Sequence, residues 1–352
     1  MKIQASSKVY SVHISHDFEA VASLEIDGNT FIVIDKILYE LYKPIFSEMP
    51  TDRIFILESI EENKVIETAL QICERMTNIP AKRNARLISF GGGIVQDITG
   101  FAANILYRGI HWTFFPTTLL SACDSCIGSK TSLNYKNYKN LLGTFYPPDE
   151  IYICTPFFRT LSERDYESGL GEVVKFNVMH GEKGISHMEQ QMEALLRRDE
   201  NALQEVVQKS LRFKKQFIEE DEFDRGERIK LNFAHTFGHA FETTSHYAIP
   251  HGTAVAMGTI VANRISLVRG WLAQDAVLRM EKLLYRIIHI DKTNFAPDMA
   301  GIIDAIHKDK KQTGTDITAI LLKGSNMMLE IVHDVRVEEI QDAVNYMYSH
   351  IQ

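Results

Sequence analysis

The chain has 352 residues, of which 45% are hydrophobic and 24% charged, and its formal net charge is −8. That length exceeds what one hydrophobic core usually supports, so two domains are expected, and an acidic balance argues against a nucleic-acid partner, which calls for a basic domain. No run of eighteen apolar residues occurs to span a membrane, no secretory h-region opens the sequence, and four cysteines are too few for a disulfide framework, so the cytoplasm is the expected location.

The first third alternates compact apolar runs with amphipathic stretches. FIVID (31–35), RIFIL (53–57), ARLISF (85–90) and HWTFFP (111–116) read as strands, and ESIEENKVIETALQICERM (58–76) has helical spacing. Strands alternating with helices at this interval imply a parallel, Rossmann-like sheet. The third strand runs into Gly91-Gly92-Gly93 and then a helical pattern. Glycines at such a turn let the backbone approach a pyrophosphate at a helix N-terminus. The spacing is not Gly-x-Gly-x-x-Gly, because Gln96 stands third after Gly93, so a plain strand-to-helix turn fits equally. Asp35, at a strand end, suits a ribose hydroxyl or a helix cap.

Residues 116–148, PTTLLSACDSCIGSKTSLNYKNYKNLLGTFYPP, concentrate small polar residues and lysines. Asp124, Lys130, Lys136, Lys139 and Asn140 fall within seventeen residues, interleaved with Leu, Ile and Phe as a phosphate pocket would need and a solvated basic loop would not. Cys123 and Cys126 form a Cys-x-x-Cys with no second pair in the chain. Buried small residues account for it better than half a zinc site or a redox pair. The double proline Pro147-Pro148 reads as a domain boundary. The expected fold is therefore α/β: a Rossmann-like parallel-sheet domain over 1–150, then a mainly α-helical metal- and substrate-binding domain over 151–352.

In the second domain LSERDYESGLGEVVKFNVMHG (161–181) places Glu172 and Lys175 one helical turn apart, as a surface ion pair also would. Residues 182–222 read as helices with mixed charges. LNFAHTFGHAFETTSHYAIPH (231–251) holds four histidines. Taken as one helix, Arg228, Asn232, His235 and His239 form a single polar stripe suited to an anion, a metal or both, although histidines four apart also occur on solvated faces. His251-Gly252 begins another helical run, and DKKQTG (309–314) is a turn before the strand-like ITAILL (317–322).

Taken together, GGGIVQDITGFAA, YRG, PTTLL, DSCIGSK, KN, LLGTFYPP, SGLGEVVK, EEDE with Gly226 and Arg228, LNFAHTFGHA, the HG-AVA-G pattern and DKK resemble the sugar phosphate cyclases, and within them the 3-dehydroquinate synthases, from about Phe31 to Lys311. The resemblance implies one divalent metal, zinc or possibly cobalt, on Glu172, His235 and His251. It implies NAD at Asp35, Glu61, Lys64, Gly92, Gly93, Asp97, Thr117, Thr118, Lys130, Lys139 and Thr160. Substrate and catalytic positions that match are Asp124, Lys130, Lys175, Lys214, Arg228, Asn232, Asn140 and His239, the last near the phosphate or behind the metal ligands, with Lys310 or Lys311 toward the phosphate. Arg108 matches an arginine that reaches the neighbouring subunit, which implies a homodimer.

The implied reaction acts on one sugar phosphate. A hydroxyl is oxidised transiently, phosphate leaves by β-elimination, the hydride returns, and ring opening with aldol closure forms a carbocycle. Departures from the pattern are Gln96, Ser129, Ser132-Leu133 and Ala234, which touch the pocket lining. Arg228, Asn232 and Lys214 match residues beside a substrate carboxylate, which favours 3-deoxy-D-arabino-heptulosonate 7-phosphate over sedoheptulose 7-phosphate or glucose 6-phosphate. A metal-dependent polyol dehydrogenase shares the layout without needing the lysine-rich 124–140 stretch.

Overall fold

The computed structural model describes residues 1–351 except 48, 81, 137, 293–294 and 310–315. The chain divides into two compact units, one of residues 1–161 and 203–223, the other of residues 162–202 and 224–352.

The first unit is built on β1 (Lys2–Gln4), β2 (Val9–Ser15), β3 (Thr30–Asp35), β4 (Ile54–Leu57), β5 (Arg86–Gly91), β6 (His111–Pro116), the hairpin β7 (Lys130–Tyr135) and β8 (Tyr138–Phe145), and β9 (Glu150–Cys154). Seven of these make one sheet in the order β1-β2-β9-β6-β5-β3-β4. Only β1 is antiparallel to its neighbour; the rest pair in parallel, as the alternating pattern implies. Phe31, Ile32, Val33 and Ile34 of β3 are all buried, the unbroken apolar run expected of a strand covered on both faces. The register matters for function. Ile34 pairs with Phe90, and Gly91 pairs with Pro116, so Asp35, Gly92-Gly93 and Thr117-Thr118 follow one another at the carboxyl ends of three adjacent strands. In open α/β sheets that edge is where ligands collect.

The second unit is helical, with an antiparallel pair, β10 (Ile317–Lys323) and β11 (Met328–Val335). Its centre is the crossing of three helices, Glu163–Met179, His235–Thr244 and His251–Val268. Small residues make the crossings close. A Cβ on Gly171 would lie 2.0 Å from the Gly252 carbonyl oxygen, and one on Gly252 would lie 1.7 Å from that of Ser168. Backbone therefore packs on backbone, and the side chains beside these glycines converge. No helix among the described residues is long and apolar enough to cross a membrane.

The sequence stripe from Arg228 to His239 is not one helix. A short 3-10 turn spans Glu227–Asn232, and the α-helix starts afresh at His235, after Ala234 in the left-handed region at φ 71°. The break turns His235 onto the first turn of a new helix, where it can face the two neighbouring helices rather than extend a surface stripe.

Candidate metal centre and dinucleotide turn

In the second unit, Glu172 lies fully buried in the middle of helix Glu163–Met179. His235 Nε2 stands 3.5 Å from its Oε1 and His251 Nε2 3.4 Å from the same oxygen. The donor atoms of these three residues all lie within 4.8 Å of one another. Lys175, one turn further along and itself buried, places its ammonium 2.6 Å from Glu172 Oε2 and donates to the Leu231 carbonyl at 3.2 Å.

The outward-facing ring nitrogens explain the orientation. His235 Nδ1 meets the Phe233 carbonyl oxygen at 3.0 Å, and that oxygen can only accept, so Nδ1 carries the hydrogen. His251 Nδ1 lies 3.0 Å from Glu242 Oε2. Both imidazoles thus direct Nε2 at a carboxylate oxygen, an arrangement that a proton or a metal cation between them satisfies. With a proton there, burial pulls the His251 imidazolium down, but the hydrogen bonds to Glu172 and Glu242 outweigh it and push the group up to about 10; a bound metal takes the place of that proton. One carboxylate and two neutral imidazoles, second nitrogens anchored, form a donor set that fits zinc or cobalt with room left for substrate oxygens.

His239, one turn beyond His235, bonds Asp309 Oδ2 through Nδ1 at 3.0 Å, and its ring centroid is 5.4 Å from that of His235. Arg228 is buried on the 3-10 turn, where Asn232 donates to the Ile229 carbonyl. Lys310 and Lys311 lie outside the described residues.

In the first unit, Gly92 caps the helix Gly93–Ile105, and a Cβ there would come within 3.0 Å of the Thr118 methyl. Amides at the helix start and this closely packed bare backbone fit a pyrophosphate. Asp35 accepts from the Leu38 amide at 2.9 Å, so one of its oxygens caps the helix Lys36–Leu41. Around the hairpin a polar network assembles. Lys64 Nζ lies 2.6 Å from Asp97 Oδ2 and 2.7 Å from Asn140 Oδ1. Ser132 reaches Asp97 through both its amide, at 3.0 Å, and its hydroxyl, at 2.9 Å. Burial pushes the Asp97 carboxyl up, against the pull of Lys64 and the two Ser132 hydrogen bonds. Glu61 accepts from Asn134 at 2.8 Å and faces Lys139 at 3.5 Å.

Asp124 sits on a π-turn, Ser121–Ser125, with its carboxylate 2.8 Å from Lys214 Nζ; the same ammonium donates to its carbonyl. Lys130 begins the exposed start of β7. Thr160's hydroxyl meets Tyr42 instead. Arg108 is exposed on a turn with left-handed backbone at φ 65°.

Sequence reasoning missed four contributors. Gln96 donates to the Ser125 carbonyl and accepts from the Ser125 hydroxyl, both at 2.7 Å, and so clips the Asp124 turn to the glycine-capped helix. Ser132 was visible only as a departure. Asn134 holds the hairpin to Glu61. Glu242 follows His235 and His239 at steps of four and three, a helical-face signal that could have found it. Cys123 and Cys126 are buried, and burial, partly offset by Lys214, pushes the Cys126 thiol up to about 12, so it is inert as a nucleophile.

Comparison with known proteins gives a consistent result. Residues 54–168 match the family described as 3-dehydroquinate synthase N-terminal, and residues 169–312 match 3-dehydroquinate synthase C-terminal. A 3-dehydroquinate synthase of Clostridium tetani (strain Massachusetts / E88) is 36% identical over 343 residues, covering 96% of this chain and 91% of that one. One from Dictyoglomus turgidum (strain DSM 6724 / Z-1310) is 35% identical over 89% of this chain and 87% of the relative. Among solved structures, ValA, the 2-epi-5-epi-valiolone synthase of Streptomyces hygroscopicus subsp. jinggangensis 5008 with NAD+ and Zn2+ bound, superposes with a TM-score of 0.84 at 22% identity, covering 99% of each chain. At that identity it speaks for the fold.

Proposed function

Since the chain belongs to the 3-dehydroquinate synthase family, we propose that it converts 3-deoxy-D-arabino-heptulosonate 7-phosphate to 3-dehydroquinate and phosphate, with NAD and one divalent metal as resident cofactors. The observation that carries the reading is the convergence of Glu172, His235 and His251 with both imidazoles anchored through Nδ1. Glu172, His235 and His251 would hold a zinc or cobalt ion that would supply Lewis acidity to the hydroxyl undergoing oxidation, and NAD would supply a reversible hydride acceptor.

The remaining chemistry belongs to the side chains. In the second unit Lys175, held between Glu172 and the Leu231 carbonyl, supplies fixed positive charge beside the metal position. Arg228, whose guanidinium is buried at 4% exposure, suits a carboxylate, which the heptulosonate carries and sedoheptulose 7-phosphate and glucose 6-phosphate lack. Asn232 and His239 orient oxygens nearby, and the His239–Asp309 bond fixes that ring. In the first unit Asp35, Gly92, Gly93, Thr117 and Thr118 line the dinucleotide turn. Glu61, Lys64, Asp97, Lys130, Lys139 and Asn140 hold the polar end of the hairpin, with Thr160 completing the cofactor set. By the resemblance, Asp124 belongs to the substrate set, Lys214 to the residues beside the substrate carboxylate, and one of Lys310 and Lys311 to the phosphate. Arg108, exposed on its turn, serves the partner subunit of a cytoplasmic homodimer. Positioning and cation density do the work.

The test is phosphate release with NAD and zinc or cobalt from three sugar phosphates separately. Release from the heptulosonate alone, with no net NADH, is expected. Release from sedoheptulose 7-phosphate or glucose 6-phosphate instead would overturn the substrate, and NADH accumulating from simple polyols without phosphate would overturn the cyclase.

A further inference from the structure

Helix His235–Thr244 contributes to the metal centre twice. His235, on its first turn, faces Glu172; Glu242, two turns on, reaches the other imidazole, with its Oε2 3.0 Å from His251 Nδ1. The eight-residue return between Glu242 and His251 is built for this contact. His246 and Tyr247 take left-handed backbone at φ 49° and 63°, the Tyr247 amide donates to the Glu242 carbonyl at 2.8 Å, and the Ile249 amide donates to the Ser245 hydroxyl at 3.3 Å. The tight loop delivers His251 as the first residue of its helix, directly beside the carboxylate. Glu242 is only 17% exposed at its side chain, so the contact is largely screened from water.

Among the described residues two sets of donors share His251: Glu172–His235–His251 and His239–Glu242–His251. A neutral imidazole has one lone pair on nitrogen, so it can ligate in only one of them. The ring has Nε2 toward Glu172 and Nδ1 toward Glu242. With Nδ1–H donated to Glu242, Nε2 is left to the metal. The first set is also more buried, with Glu172 fully inaccessible. We propose that Glu242 is a positioning residue and not a ligand: it fixes the His251 tautomer and ring angle, raises the basicity of Nε2, and thereby sets the metal affinity of the Glu172–His235–His251 site. A carboxylate behind a ligating histidine typically contributes 10- to 100-fold in affinity. The two histidines are then unequal, His251 backed by a charge and His235 by the neutral Phe233 carbonyl.

The inference rests on the metal assignment above, and the experiment separates the two. Zinc affinity of the full-length protein is measured by chelator competition, and the visible band of the cobalt-substituted protein reports coordination, for wild type, Glu242→Gln, Glu242→Ala and Glu172→Gln. Glu242→Ala is expected to weaken zinc by 10- to 100-fold. Glu242→Gln, whose amide oxygen still accepts from Nδ1–H, should weaken it less and keep the wild-type cobalt band. Glu172→Gln should lose stoichiometric metal. Zinc affinity of Glu242→Ala within tenfold of wild type would overturn the positioning role, as would an altered cobalt band in Glu242→Gln, which would make Glu242 a ligand. Wild-type affinity in Glu172→Gln would instead overturn the metal assignment itself. Glu242→Gln is isosteric and lies near a helix end, so its affinity can be read on a folded protein.

Discussion

The two units solve opposite electrostatic problems. In the first, site residues already answer one another: Lys64 meets Asp97 and Asn140, Ser132 meets Asp97 twice, and Lys214 grips Asp124 by side chain and carbonyl. In the second, a buried carboxylate faces two imidazole nitrogens across about the same gap, with the Lys175 ammonium close beside it. The first arrangement is a distributed network that holds its shape without a guest. The second concentrates its interactions on one residue and asks for a cation. Removing one member should therefore cost little in the network and a great deal at the centre.

Glu172→Ala should show the largest effect. It removes a metal donor and leaves the Lys175 ammonium buried without its carboxylate, which costs about 3–5 kcal/mol. Metal content should fall to near zero and the denaturant midpoint should drop sharply. Stoichiometric metal at wild-type stability would end the contrast between the units.

Lys64→Met is the matching test in the first unit. Asp97 keeps its two Ser132 hydrogen bonds and can also take up a proton, so the loss at pH 8 should stay below about 3 kcal/mol. The pH dependence has a fixed sign. Burial already holds the Asp97 carboxyl above its ordinary value. A raised carboxyl disfavours the fold while ionised, so its cost is present above the folded pKa and is relieved as pH falls through it. Without Lys64 the shift grows, and urea midpoints of variant and wild type should draw together from pH 8 to pH 5. A gap that widens on acidification would show that Asp97 is not the group left stranded.

Gly252→Ala asks whether helix approach alone builds the centre. Its Cβ would sit 1.7 Å from the Ser168 carbonyl oxygen, so one helix must shift, at about 1–3 kcal/mol, and zinc affinity should fall although no donor has changed. Gly270→Ala is the control. It has a left-handed φ of 70° but open space around its Cβ, so it should lose stability while keeping its metal affinity.

These contrasts also explain what could be read from the sequence. The parallel sheet was legible because unbroken runs such as FIVID announce a strand buried on both faces, and the glycine turn because it follows one directly. Histidine spacing alone pairs His235 with His239. The geometry that sets His235 with Glu172 and His251 comes from the left-handed break at Ala234 and from a glycine crossing 81 residues apart in the chain, Gly171 on Gly252. Local periodicity carries neither. Gln96, a misfit in the glycine motif, proved to be half of a two-point clip on Ser125, which only the folded π-turn brings within reach.

The smallest effect is expected from Ser132→Ala, and it tests the comparison most finely. The hydroxyl lies 2.9 Å from Asp97 and 2.8 Å from Asn140, but the Ser132 amide still donates to Asp97, and Lys64 still bridges Asp97 and Asn140. No buried charge loses its only partner, so the change should cost about 0.5–1.5 kcal/mol, that of an ordinary hydrogen bond. NAD affinity, measured by fluorescence titration, should move less than about threefold, because the neighbours hold the hairpin in place. If this one hydroxyl instead cost as much as Lys64, the network would not be distributed, and Ser132 would be to the first unit what Glu172 is to the second.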